Sequence, residues 1–172
     1  TPVSSANAGL RLTALLAARA LNFVSADAAT ATARTLLDTT PAPTSDVALA
    51  HYAAGLVTLR QALPSLAAAT TTRLDAIAWD QVTLGSRELG SASRLAAFFQ
   101  VATRARPPTA WSALSRTPVA RGPVHVLAPA EVADQALPGL WLDEREIITG
   151  ASASQLAYAH RADTRDPLAR AL

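Results

Sequence analysis

Apolar positions in the first hundred residues recur at helical spacing. Leu10, Ala14, Ala17, Leu21 and Val24 lie 4, 3, 4 and 3 residues apart, which puts them on one face of a helix. Ser25 reads as the N-cap of a second helix running to about Asp38, with Asp27 near its positive end. The run Thr39-Thr40-Pro41-Ala42-Pro43-Thr44-Ser45 is a linker, and Ser45 or Asp46 caps a third helix. There Leu49, Tyr52, Leu56, Leu59 and Leu63 repeat at 3, 4, 3 and 4. Pro64 ends or kinks that helix, and another segment follows through about Leu84. Gly85-Ser86 breaks the pattern, and Leu89, Ala92, Ala96 and Phe99 define a further helix to about Ala105.

Beyond that point the periodicity gives way to proline. Arg106-Pro107-Pro108 stops the helix, and proline returns at Pro118, Pro123, Pro129 and Pro138. Val124 to Leu127 reads as a short strand, Pro129 to Ala136 as a helical turn or two, and Gln155 to Ala162 as a second strand. Asp166-Pro167 suits the start of a last helical turn. The expected fold is mainly α. A multi-helix N-terminal two-thirds precedes a Pro-rich, irregular C-terminal third with at most a small β pairing. The expected division is a helical domain over 1–105 and a proline-punctuated extension over 106–172 packed on it, the two forming one structural unit.

Composition alters this picture in two ways. Of the 172 residues 41 are alanine, so helices can approach closely but bury little area each. At roughly 25 cal/mol per Å² of apolar surface, such helices gain less from burial than leucine-rich ones. All 15 basic residues are arginine, and methionine and cysteine are absent. Phe, Tyr, Ile and Asn are also scarce, so the missing lysine reflects a GC-rich coding sequence rather than a nucleic-acid function. Without cysteine there is no disulfide framework, thiolate metal site or cysteine nucleophile. That suits an intracellular or virion setting. No apolar run is long enough to span a membrane, and Arg19 interrupts the faint signal-like core from Leu12 to Ala26. The chain opens on Thr1-Pro2 rather than methionine, which reads as a trimmed or processed fragment.

The placement of charge is the more informative feature. Residues 89–130 hold Arg94, Arg104, Arg106, Arg116 and Arg121 and no acid. Residues 131–146 hold Glu131, Asp134, Asp143, Glu144 and Glu146 against Arg145 alone. A basic block thus abuts an acidic one, an arrangement suited to contacts between unlike surfaces. Trp111 lies within the basic block, where arginine and an aromatic ring could hold phosphate and stack a base. The plainer reading is an extended segment that pairs with acidic residues of its own chain or a neighbour. The candidate interaction residues are therefore Arg94, Arg104, Arg106, Trp111, Arg116, Arg121, Asp143, Glu144 and Glu146.

Chemistry-bearing groups lack diagnostic spacing. Asp143, Glu144, Glu146, His125, His160 and Asp163 have suitable atoms for a metal or an acid–base pair, yet match no zinc or calcium motif. His51 lies beside an apolar helix face and reads as a core-edge residue. Gly85-Ser86 and Gly90-Ser91 match neither a nucleophile elbow nor a phosphate loop. Pro2 and the helical N-terminal region argue against Thr1 as a nucleophile. No catalytic, cofactor-binding or metal residue is assigned, no cofactor is expected, and the chain is read as not an enzyme. The function expected is a structural or protein-interaction domain, a subunit or processed fragment of a larger assembly such as a viral capsid or other oligomeric shell. The alternative is an adaptor or secretion-associated helical binding domain of a GC-rich bacterium. A hydrolase or metal enzyme using C-terminal carboxylates and histidine ranks below both. The expected partner is protein, self or another subunit. Nucleic acid is the lesser alternative, and no membrane partner is expected.

Overall fold

A computed structural model describes residues 8–121, 124–128 and 137–142. The chain is mainly helical. Among the described residues it runs α1 (Ala8–Ala20), α2 (Ala26–Thr39), α3 (Asp46–Ala62), a 3-10 turn (Pro64–Leu66), α4 (Ala67–Asp75), α5 (Arg94–Ala102) and α6 (Thr109–Ser112). Strands β1 (Pro118–Arg121) and β2 (Val124–Leu127) and a 3-10 turn (Pro138–Leu140) follow. The contacts divide the chain between Thr83 and Leu84, so α5 groups with the proline-rich stretch rather than with the N-terminal helices. The expected boundary at 105 followed the end of helical periodicity. Contact instead follows the irregular run between α4 and α5.

The first unit is built around α3. Ser45 caps it, its hydroxyl accepting from the Ala48 N–H at 3.3 Å, and Ser25 does the same for α2 through Ala28 at 3.2 Å. Leu49, Tyr52, Leu56, Leu59 and Leu63 are all buried, as the spacing requires. Ala48, Ala50, Ala53 and Ala54 are buried as well, so α3 is enclosed on every side from Ala48 to Leu56, while Arg60 and Gln61 in its last turn are exposed. Glycine sets the spacing to α1. A Cβ on Gly9 would overlap the His51 carbonyl oxygen, and one on Gly55 would lie 2.7 Å from Gly9 O. Further along, the Arg19 guanidinium donates to Ala62 O at 2.9 Å, so α1 and α3 lie side by side in the same direction. Arg19 thereby serves as a cationic cap on the carbonyl end of α3. Leu63, kept out of the helical region by the proline after it, closes the helix, and α4 follows the 3-10 turn. Thr70 is buried on α4, its hydroxyl bonded to Leu66 O at 3.0 Å and Ala67 O at 2.9 Å.

Two expectations for this unit are corrected. The buried face of α1 is Ala8, Gly9, Leu12 and Leu16, while Ala14, Ala17 and Leu21 of the expected face are exposed. The choice was decided by close approach at Gly9, a residue without a side chain to mark it as core. The segment expected to run through about Leu84 is helical only to Asp75, and turns carry the chain on to α5.

Among its described residues the second unit is short of regular structure. Helix α5 starts at Arg94, later than Leu89, although Leu89, Ala92 and Ala96 are buried as expected. Leu89, Ala97, Leu114 and Leu127 form its apolar cluster, with Leu84, Trp111 and Val119 packed against it. Glu88 and Ser115 form an isolated parallel bridge, through Leu89 N–H to Ser115 O and Ser115 N–H to Arg87 O, both 2.8 Å. Val124–Leu127 is a strand, as its sequence suggests. Its antiparallel partner is Pro118–Arg121, with Pro118 opposite Leu127 and Arg121 opposite Val124. The expected strand at 155–162 and the helical turns at 129–136 and 166–167 lie outside the described residues.

Candidate functional site

The segment Gly85 to Arg94 makes a polar knot inside the second unit. The Ser86 hydroxyl accepts from Glu88 N–H, the Ser91 hydroxyl from Ser93 N–H, and the Ser93 hydroxyl from Ser86 N–H, each at 3.2 Å. Arg94 is wholly buried and donates from Nη1 to Gly90 O at 3.2 Å and Ser91 O at 3.1 Å. These carbonyls belong to the turn leading into α5, so the guanidinium holds that turn against the helix it precedes. Arg94, one of the candidate interaction residues, thus lies in the interior. Its burial was hidden because charge was read along the sequence, without the local carbonyls that satisfy it. Glu88 Oε1 accepts from the Thr117 hydroxyl at 3.2 Å. Its Oε2 is buried with no hydrogen-bond partner.

The remaining arginine candidates differ among themselves. Arg104 and Arg106 are exposed just beyond α5. Arg104 has φ 62°, a left-handed conformation more usual for glycine at a helix end, and its N–H bonds Val101 O at 3.0 Å. The Arg106 N–H bonds Gln100 O at 2.9 Å, which anchors the chain after the turn. Arg116 is exposed, but Nη1 turns back to Ser112 O at 3.0 Å and Leu114 O at 2.9 Å. Trp111 is half-buried against the apolar cluster, so its ring is core edge rather than an open stacking platform. Arg121 is the last residue of β1. Asp143, Glu144 and Glu146 lie outside the described residues, as do His160 and Asp163.

A corner in the first unit escaped the sequence reading. After α1 the N–H of Asn22 bonds Arg19 O at 3.0 Å and the N–H of Phe23 bonds Ala18 O at 2.8 Å. Asn22 sits at φ 61°, so the helix closes in a Schellman arrangement with asparagine at the left-handed position. This fixes Leu21 and Phe23 at 63% and 79% exposure on either side of Asn22. Leu21 had been assigned to a buried face. The signal that could have found the corner is Asn22 itself, a residue that tolerates positive φ.

His51 lies in α3 at the contact with α1 and is 2% exposed. Burial disfavours its charged form and holds its pKa below the ordinary 6.5. Among the described residues no three His, Asp or Glu side chains gather as a metal site, and no helix is long and apolar enough to cross a membrane. No protein-family model, curated protein or solved structure matches the chain.

Proposed function

We propose that the chain is a non-catalytic structural or protein-interaction domain, a subunit or fragment of a larger assembly within a cell or a virion. The Leu21–Phe23 corner carries this reading. A leucine and a phenylalanine stand out at 63% and 79% exposure from a turn whose backbone hydrogen bonds hold it in place. Exposed aromatic surface gains free energy when covered by a partner, and a fixed backbone reduces the ordering cost of binding. Sedimentation of the full chain over a range of protein and salt concentrations tests it. Assembly through the corner gives larger species as concentration rises, and Leu21→Ser with Phe23→Ser returns them to monomer. Assembly through the charge blocks dissolves as salt rises, because exposed charges are screened beyond about 8–10 Å near physiological salt. A monomer insensitive to concentration, salt and these substitutions counts against the proposal.

A further inference from the structure

We infer that the outward face of α1 pairs with the same face of a second copy of the chain, the two helices antiparallel about a two-fold axis. The pairing depends on the Leu21–Phe23 corner being a contact surface, as proposed above, and supplies its partner. Helix α1 has two apolar faces. Ala8, Gly9, Leu12 and Leu16 are buried. Leu10, Ala14, Ala17 and Leu21 lie on the opposite side at spacings of 4, 3 and 4, Leu10 half-buried and the other three exposed. Leu21 is one residue past α1, but its N–H bonds Ala17 O at 2.9 Å, so it keeps its place on this face. The left-handed residue is the next one, Asn22. Phe23, 79% exposed, adds apolar surface at the same end.

The two ends of this face differ in charge. Of the two arginines of α1, Arg19 turns to Ala62 O at 2.9 Å, whereas Arg11 is exposed beside Leu10. Asp27 is exposed in the first turn of α2, six residues past Leu21. The positions between, Ala14, Ala17 and Leu21, bring no charge to the face. An acidic partner would suit the Arg11 end and be repelled at the Asp27 end, and a basic partner the reverse. A second copy turned end for end sets Arg11 of each chain toward Asp27 of the other, so both ends are matched at once. Alanine at positions 14 and 17 lets the two backbones approach closely, as glycine does between α1 and α3.

Sedimentation equilibrium of the full chain over a wide range of concentration tests the pairing, with circular dichroism melts confirming that each variant folds. The expected result is a monomer–dimer equilibrium. Ala14→Glu with Ala17→Glu puts charge on the middle of the face and returns the chain to monomer. Arg11→Asp alone weakens the dimer about tenfold, and adding Asp27→Arg to it restores the affinity to within about twofold. That recovery requires the antiparallel arrangement, because the two residues lie at opposite ends of the face. If the Ala14 and Ala17 variant unfolds, the charge swap decides alone. A chain that is monomeric at every concentration overturns the pairing. So does a dimer unchanged by Ala14→Glu with Ala17→Glu, or a double swap no tighter than Arg11→Asp. If Leu21→Ser with Phe23→Ser abolishes association while Ala14→Glu with Ala17→Glu does not, the corner stands as a contact and only the helix pairing falls. If association survives both pairs of substitutions, both fall.

Discussion

In residues 8–83 the interior is largely alanine and leucine around a glycine contact. In the described part of 84–142 it also holds an arginine, two serines and a glutamine. The first unit has a helix of 17 residues enclosed from Ala48 to Leu56, and its neighbour α1 comes close enough for backbone to meet backbone. Its cohesion comes from tight packing over small side chains, which tolerates little added volume. Among its described residues the second unit has a 9-residue helix, a 4-residue helix and two 4-residue strands. Its turns are held by side-chain donors that reach loop carbonyls, so it is sensitive to lost hydrogen bonds. One unit should break when atoms are added and the other when donors are removed.

The largest effect is expected at the glycine contact. Gly9→Ala places a Cβ on the His51 carbonyl oxygen, which is backbone and cannot swing aside. The helices must separate, at a cost of about 3 kcal/mol or more. Urea denaturation followed by circular dichroism measures this. A loss below about 1 kcal/mol would show that glycine does not set the α1–α3 distance. Arg94→Ala tests the opposite sensitivity. It removes the donor to Gly90 O and Ser91 O from a fully buried site and leaves a cavity, for about 3 kcal/mol. Arg94→Met fills the space without the donors and should lose less. If the two variants are equally unstable, the hydrogen bonds rather than the volume hold the turn.

The same contrast explains what was legible beforehand. Caps and leucine spacing predicted α2 and α3 closely, because Ser25, Ser45 and the run from Leu49 to Leu63 act through local geometry. The buried face of α1 was misread because Gly9 and small alanines carry no hydrophobic signal, while Leu21 carries a strong one yet stands in solvent. Pro118–Arg121, the strand that pairs with Val124–Leu127, was not foreseen, since it begins with a proline and contains an arginine, an unpromising strand in isolation. Of the arginines singled out by charge along the chain, Arg104 and Arg106 are exposed, while Arg94 is buried and bonds carbonyls of a turn that the spacing did not reveal.

A smaller effect, confined to the first unit, is expected from pH. Well above pH 6.5 His51 is neutral in the folded and unfolded chain and contributes no slope. Below 6.5 the unfolded chain takes up a proton that the buried ring resists, since its folded pKa is lowered. Stability therefore falls as pH falls, by at most about 1.4 kcal/mol per pH unit from this group. Thermal melts between pH 7 and pH 5 measure the slope, and His51→Leu should flatten it. A slope unchanged by that substitution would assign the pH response to other groups.

The smallest effect compares how each unit closes a helix. Both α1 and α5 are followed by a left-handed residue, Asn22 at φ 61° and Arg104 at φ 62°. Asparagine tolerates this conformation, whereas an arginine there carries a steric cost of about 1 kcal/mol. Glycine removes the cost but gives back about 0.5 kcal/mol or more through the freer unfolded chain. Arg104→Gly should therefore raise stability by up to about 0.5 kcal/mol, while Asn22→Gly stays within about 0.3 kcal/mol of the parent. Paired urea denaturation curves resolve the difference in sign. A loss in Arg104→Gly would mean that the guanidinium, placed near the carbonyl end of α5, contributes more to the fold than its strained backbone costs.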